Sequence, residues 1–504
     1  MARRYMVLAV TAAAVALAVW LPPDTGAAES VIRDGSWTGQ FTLPVSAGRV
    51  QVDLQLHGST GLVALGPGHA ALQRVSVRRG ATTLAVALPG APAPLRFNLV
   101  LRGSALRGSV VQGSHRGTAR LRPGKPTLNR FLGSYRTANG DTFIVLDLTR
   151  LGVPPWIIDS GTDSLRALYR TGAATYAVGA GVAHRDPVSG TLHFATDGSG
   201  FTESLANGTA VSATRLAFRA REVWLHDGKI PLAGTLLLPA GAGPFPAVVM
   251  AHGAGPSLRD EGQTFSNFLA SQGIASLTMD KRGNGQSGGT YLGDFAGENA
   301  VAGYAADVVA GGHFLARQPD IDPHHIGLFG GSQAGWVIPR AAVGAGDVFS
   351  FAVILSGPVV SQGESDFYAS LCNQGNAPAS MTPDQIDAAV RAEGPSGVDP
   401  LPDLRRLRIP ILWIYGGLDQ NQPTRLDLPV LARLKAETGA DLRWVVFPQA
   451  NHGLVTTQTG LNSEAAAAPG YARGLFVSLV GWLRAHVPGS APGTAGQAAS
   501  RGTP

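Results

Sequence analysis

A mostly parallel α/β sheet flanked by helices, preceded by an all-β N-terminal region, is the architecture this sequence predicts, and three observations predict it. From about residue 222 onward, short apolar runs at 232–238, 245–251, 274–280, 351–355 and 409–415 alternate with helical stretches, which is the pattern of βα units and a parallel sheet. Upstream, apolar residues recur with a period of two: Val50, Val52, Leu54 and Leu56, then Leu84, Val86 and Leu88, then Phe97, Leu99 and Leu101. Glycine, proline and serine clusters separate these runs, as they separate antiparallel strands. The charge divides at the same place, with 21 basic against 9 acidic residues from Ser30 to Arg221 and 17 against 23 from Glu222 to the end. Such an asymmetry points to separate domains.

The order of elements follows. Arg3 and Arg4 precede an apolar stretch over residues 5–21, and Ala27-Ala28 offers a small-residue cleavage point. Residues 1–28 therefore read as an export signal, with an uncleaved anchor as the rival. The expected location is secreted, periplasmic or cell envelope, with no stable membrane span after processing. Residues 29–125 form a β-rich domain, a small barrel or sandwich from about 36 to 122. Pro123-Gly124-Lys125-Pro126 reads as a joint. A second β-rich region, 126–221, has strand candidates at 141–148, 156–159 and 165–169, and residues 232–238 are expected to open the sheet of the catalytic domain, 222–487. Within that domain 358–405 reads as a lid insertion, where Thr382-Pro383-Asp384-Gln385 forms a capping box opening a helix over 386–391. The tail, 488–504, is rich in Gly, Ala, Ser and Pro and reads as disordered.

Composition narrows the function. With 504 residues, 44% hydrophobic and 15% charged, the chain is globular and long enough to bury a large core. The single cysteine, Cys372, excludes an internal disulfide and any cysteine-based metal cluster. The arginines of the N-terminal half are dispersed, with no basic helix and little aromatic interleaving, so nucleic acid is not an expected partner. Weak association with an anionic cell envelope is compatible with the charge.

The chemistry is carried by three blocks. His325-Ile326-Gly327-Leu328-Phe329-Gly330-Gly331-Ser332-Gln333-Ala334-Gly335-Trp336 takes an apolar run into a serine set among small residues. This is the pattern of a nucleophile elbow, a sharp strand-to-helix turn that lifts one hydroxyl above the sheet. The last position of the G-x-S-x-G spacing is Ala334, with Gly335 one step later. Downstream, Ile411-Leu412-Trp413-Ile414-Tyr415-Gly416-Gly417-Leu418-Asp419 and Trp444-Val445-Val446-Phe447-Pro448-Gln449-Ala450-Asn451-His452 each end a strand in a loop that presents a candidate residue. Catalytic groups of open α/β sheets gather at those strand ends, and the order serine, acid, histidine is that of a hydrolytic triad. A serine hydroxyl is a weak nucleophile until a base takes its proton. His452 is that base, and Asp419 orients it. Upstream, residues 245–251 run into His252-Gly253-Ala254-Gly255-Pro256, a loop suited to an oxyanion hole. Ala254 and Gln333 are the expected backbone donors, with Gly253 the alternative in the loop. The glycine-rich stretch 281–289 follows no nucleotide fingerprint and reads as a rim loop, with Asp280 and Arg282 as scaffold residues.

Taken together, His252-Gly253-Ala254-Gly255-Pro256 with Arg259-Asp260, Asp280-Lys281-Arg282-Gly283 through Ser287, Gly330-Gly331-Ser332-Gln333, Asp419 and Asn451-His452-Gly453 resemble the α/β-hydrolase superfamily. They are most similar to bacterial esterases of its serine aminopeptidase-like and bile-acid-CoA:amino-acid acyltransferase–acyl-CoA thioesterase-like branches, over about residues 221–487. The resemblance implies the α/β-hydrolase fold and hydrolysis of a small-molecule acyl ester without metal or cofactor. Two alternatives remain: a serine peptidase or thioesterase using the same triad, and a non-catalytic envelope-binding protein with a degenerate hydrolase domain. A propeller preceding the hydrolase, as in prolyl oligopeptidases, would show blade repeats, and none is legible.

Overall fold

The computed structural model describes the strands between Gly35 and Pro123, residues 131–147, most of 154–293, and 297–488. The export signal, most of the joint after Pro123 and the C-terminal tail lie outside the described residues.

The N-terminal region is two closed barrels of eight antiparallel strands each. The first runs from β1 (Gly35–Thr42) to β8 (His115–Pro123), and β8 pairs back onto β1. Its core includes Trp37, Phe41, Phe97, Leu99 and Leu121, the inward half of each alternating strand. The second runs from β9 (Gly133–Thr137) to β16 (Ala210–Arg215) and closes β16 onto β9. Its interior is aromatic: Phe131 stacks on Phe194 with ring centroids 4.3 Å apart, and Tyr135, Phe143, Tyr176 and Phe201 pack around them.

The outside of the second barrel is also buried, on one side. Strands β10 (Thr142–Leu146) and β11 (Trp156–Asp159) have no exposed residue. Phe143, Val145 and Ile157 point into the barrel. Their neighbours Ile144, Leu146, Trp156 and Ile158 join a second cluster with Phe268, Leu454, Tyr471, Leu475 and Phe476. Alternation thus serves two cores. This barrel is welded to the following domain, unlike the separate module that the charge asymmetry suggests.

The third unit is an eight-stranded sheet in the order β17-β18-β20-β19-β21-β22-β23-β24. Its strands are β17 (Arg219–Asp227), β18 (Ile230–Leu238), β19 (Phe245–Ala251), β20 (Ala275–Met279), β21 (Ile321–Gly331), β22 (Phe351–Leu355), β23 (Ile411–Gly416) and β24 (Leu442–Phe447). β17, β18 and β20 pair antiparallel, and every pairing from β20 through β19 to β24 is parallel. The central strands β19, β20, β22 and β23 are buried throughout, as parallel strands covered on both faces must be. The sheet opens one strand earlier than expected, and the 221/222 boundary falls inside β17. That strand is an edge, mostly exposed, and carries Arg219, Arg221, Glu222 and His226, so it lacks the apolar run by which its neighbours are recognised.

Helices cover the sheet: α1 (Gln263–Ser271), α2 (Glu298–Leu315), α3 (Ala334–Gly344), α7 (Thr424–Thr438) and α8 (Leu475–His486), with α4 (Gln362–Leu371), α5 (Pro383–Glu393) and α6 (Leu401–Leu404) inserted between β22 and β23. These three helices fall within residues 358–405, the segment read from the sequence as an insertion. Thr382 accepts the Gln385 N–H and the Gln385 side chain returns a bond to the Thr382 N–H, the anticipated capping box. A second box, Ser361 with Glu364, opens α4. The insertion has its own small core, including Val360, Cys372, Ile386, Val390 and Leu426. No described helix is long and apolar enough to cross a membrane.

Candidate active site

Ser332 follows β21 directly and precedes α3, with φ at +56°. A non-glycine residue in the left-handed region is strained, and the strain persists only where surroundings enforce it. Here the Ser332 N–H donates to Leu355 O at 2.9 Å and its carbonyl accepts the Gly335 N–H at 2.8 Å. The small residues each have a reason. A Cβ on Gly330 would lie 2.5 Å from Ala251 O, and one on Gly335 would lie 2.6 Å from the backbone of Pro358. Ala334 is fully buried with its methyl group against Gly330. The elbow therefore forms with alanine at that position, and the glycine needed for close approach is Gly335.

The expected acid, Asp419, and the expected base, His452, meet. His452 Nδ1 donates to Asp419 Oδ2 at 2.8 Å, and both side chains are largely buried. A carboxylate oxygen can only accept, so the proton is on Nδ1 and Nε2 is left as the basic nitrogen. Asp419 Oδ1 accepts the N–H groups of Asn421 and Gln422 at 2.8 and 2.9 Å. Burial works against a charged imidazole at His452, but the charge of Asp419 and its hydrogen bond outweigh it and raise the pKa above the ordinary 6.5. The loop is held by Asn451, whose Oδ1 accepts the N–H of Gly453 at 3.1 Å and of Val455 at 3.2 Å. The insertion reaches the same place: Tyr368 on α4 donates its hydroxyl to Asp419 O at 2.8 Å, and Ser365 donates to Gln422 Oε1 at 2.6 Å.

The loop after β19 lies against Ser332. A Cβ on Gly253 would sit 3.4 Å from Ser332 Cβ and 3.9 Å from its Oγ, which places the expected donor Ala254 next along a backbone that touches the elbow. Gln333, the other expected donor, is the N-cap residue of α3 and is buried. His252 is pushed down to about 4 by burial and donates Nε2–H to Met279 O. It anchors the loop as a neutral ring.

Asp280 and Arg282 are scaffold residues, as expected. Asp280 binds the Arg259 guanidinium and the N–H groups of Arg259 and Gln286, and Arg282 makes a two-pronged contact with Asp307. Between them sits a residue that the sequence did not single out. Lys281 is buried and its Nζ donates to Gly253 O at 2.9 Å, Gly255 O at 3.1 Å and Gln333 Oε1 at 2.9 Å, with the Tyr304 ring centroid 4.2 Å away. Nothing local marks it, because its partners are backbone carbonyls and a side chain distant in sequence. Tyr368 was missed for the same reason. Burial pushes the Cys372 thiol up to about 11, which keeps it protonated. Among the described residues no group of three or more His, Cys, Asp or Glu side chains is arranged to hold a metal ion.

Residues 263–473 match the sequence profile of the prolyl oligopeptidase family. The uncharacterized peptidase YuxL of Bacillus subtilis is 26% identical over 240 residues, 46% of this chain and 35% of that protein, so the match spans about a third of the relative's length. Among solved structures, the acylaminoacyl peptidase of Pyrococcus horikoshii aligns over 88% of this chain and 76% of its own at 13% identity, with a TM-score of 0.41. An esterase of Pyrococcus furiosus aligns over 47% of this chain and 84% of its own at 19% identity, with a TM-score of 0.37. Overlaps this loose do not bear on substrate. The parallel sheet with its elbow serine has the α/β-hydrolase arrangement, and residues 263–473 are similar to the prolyl oligopeptidase family.

Proposed function

We propose that the protein hydrolyses carboxylic esters through an acyl-enzyme on Ser332. The observation that carries the reading is the His452–Asp419 hydrogen bond, 2.8 Å long, beyond the carboxyl ends of the same run of parallel strands from which Ser332 emerges on a strained turn. The His452 Nε2 lone pair takes the Ser332 proton as Oγ attacks the ester carbonyl. The new oxyanion is bound by the N–H groups of Gln333 and Ala254, and Asp419 stabilises the imidazolium. His452 then gives its proton to the departing alcohol. Water attacks the acyl-enzyme, loses its proton to His452 and releases the acid as Ser332 regains its hydrogen.

The ester rather than the peptide is chosen on the resemblance of the motifs between residues 221 and 487 to those of bacterial esterases. The peptidase reading is favoured by the match to the prolyl oligopeptidase family. Matched p-nitrophenyl esters, acyl-CoA thioesters and aminoacyl nitroanilides separate them. Turnover of the esters with kcat/KM well above the nitroanilides supports the esterase reading, and the reverse order replaces it.

Export belongs to the same proposal and rests on Arg3, Arg4 and the apolar run that follows. N-terminal sequencing of the secreted protein tests it, with cleavage expected after Ala28. The first barrel supplies a reason for envelope association. Arg107 on β7 (Ala105–Gln112) stands directly opposite Arg120 on β8, both are exposed, and Arg122 follows on the same face. Like charges directly opposite are destabilising, and their mutual repulsion holds Arg120 below its ordinary pKa. An anionic polymer would relieve it. Salt-sensitive retention of the full chain on dextran sulfate, lost in R107Q/R120Q/R122Q, is the expected result; equal retention of both proteins removes the role of this face.

A further inference from the structure

We infer that Lys281 is a positioning residue that aims both backbone donors of the oxyanion hole and polarises one of them, the Ala254 N–H. The inference rests on the hydrolase reading above and adds a group to it.

The argument begins with peptide geometry. The carbonyl of Gly253 and the N–H of Ala254 belong to one planar trans peptide, so they point in opposite directions. Lys281 Nζ donates to Gly253 O at 2.9 Å and to the next carbonyl but one, Gly255 O, at 3.1 Å. Two bonds from one ammonium to carbonyls on either side of Ala254 fix the peptide plane between them. With Gly253 O held toward Lys281, the Ala254 N–H is turned the other way. Gly253 itself packs on Ser332, with its ideal Cβ position 3.4 Å from Ser332 Cβ.

The third bond reaches the second donor. Lys281 Nζ to Gln333 Oε1 is 2.9 Å, and Gln333 is buried, so its side chain tethers the residue whose N–H follows the nucleophile. One ammonium has three N–H groups, and here they grip two segments 78 residues apart in sequence (Gly255 to Gln333). The faces of Tyr304 and Tyr291, with centroids 4.2 and 5.6 Å from Nζ, support the charge in this buried position.

The charge also has an electronic effect. A cation bonded to an amide oxygen draws density from the same amide and strengthens its N–H as a donor. The interaction therefore grows as negative charge develops on the substrate oxygen, and Lys281 acts more on the transition state than on the bound ester.

The test uses the full chain and p-nitrophenyl butyrate. Lys281→Met keeps length and burial while removing the charge and donors. Its kcat is expected to fall about 10- to 100-fold with KM changed by less than about threefold. The affinity for a phenylboronic acid, which forms a tetrahedral adduct on the serine, is expected to fall in parallel. A merely structural lysine would lower the melting temperature and leave kcat and boronate affinity per folded molecule unchanged, and that result overturns the inference. If Lys281→Met does not fold, Gln333→Ala, which deletes one of the three acceptors, provides the same two readouts with a smaller fall in both, and wild-type values for it overturn the inference equally. Ser332→Ala runs alongside: persistent turnover there removes Ser332 as the nucleophile and with it the proposed mechanism, whereas an inactive Ser332→Ala beside a fully active Lys281→Met removes only the role of Lys281.

Discussion

Asp419 holds His452 by a single 2.8 Å hydrogen bond to Nδ1 while its other oxygen is fixed by two backbone N–H groups. The base must be neutral to act, and its pKa lies above 6.5. Activity is therefore expected to rise with pH through a midpoint above that value. Asp419→Asn exchanges an acceptor for an amide that can favour the wrong tautomer, and is expected to lower kcat by about 10⁴-fold. A pH–rate profile of kcat/KM for both proteins checks this. An acid limb at or below 6.5 contradicts the assignment.

Asp427 gives a stability prediction of opposite sign. It is fully buried on α7, its Oδ1 accepts the N–H groups of Val359 and Val360, and burial pushes its pKa up to about 8 from 3.8. Between those values the folded protein holds a proton that the unfolded chain has lost, so this group's contribution to stability falls as pH rises. Asp427→Asn resembles the protonated form. Urea unfolding at pH 5 and pH 8 is expected to show a smaller loss of stability with rising pH in the variant than in the parent.

Asp163 joins the second barrel to the α/β domain. Its carboxylate accepts the Gly474 N–H at 2.7 Å and the Phe476 N–H at 3.0 Å at the start of α8. Just before that helix, Tyr471 and Gly470 pair with Asp163 and Ser164, only some twenty residues after His452. Asp163→Ala removes two charge-assisted bonds and is expected to cost about 1–3 kcal/mol. Thermal unfolding followed by near-ultraviolet dichroism measures the loss. The shared core further predicts that barrel and sheet unfold together, so limited proteolysis is expected to release no intact second barrel.

The elbow makes a steric prediction. Gly335→Ala would bring a methyl group 2.6 Å from the backbone of Pro358. Relief requires moving either α3 or the start of the insertion at Pro358, at a cost of about 1–3 kcal/mol. A lower melting temperature together with slower turnover is the expected outcome; wild-type values for both contradict the packing described here.

Legibility from sequence followed the range of the interactions. The elbow was readable because close backbone approach selects small residues next to Ser332, and the Thr382 cap because its partner is three residues away. Central strands such as Phe245–Ala251 and Phe351–Leu355 announced themselves as apolar runs because both faces are covered. The edge strand Arg219–Asp227 did not, since one side of an edge faces water. The closure of both barrels, the docking of the second through Ile144 and Trp156, the grip of Lys281 and the bond from Tyr368 to Asp419 all join segments far apart in the chain. No local pattern encodes them.

The most direct measurement is covalent labelling. A fluorophosphonate reacts only with a serine activated by a neighbouring base. Mass spectrometry of the treated protein is predicted to place the phosphonyl group on Ser332, with labelling and ester turnover both abolished in Ser332→Ala. Labelling at another serine, or undiminished turnover in that variant, would contradict the account.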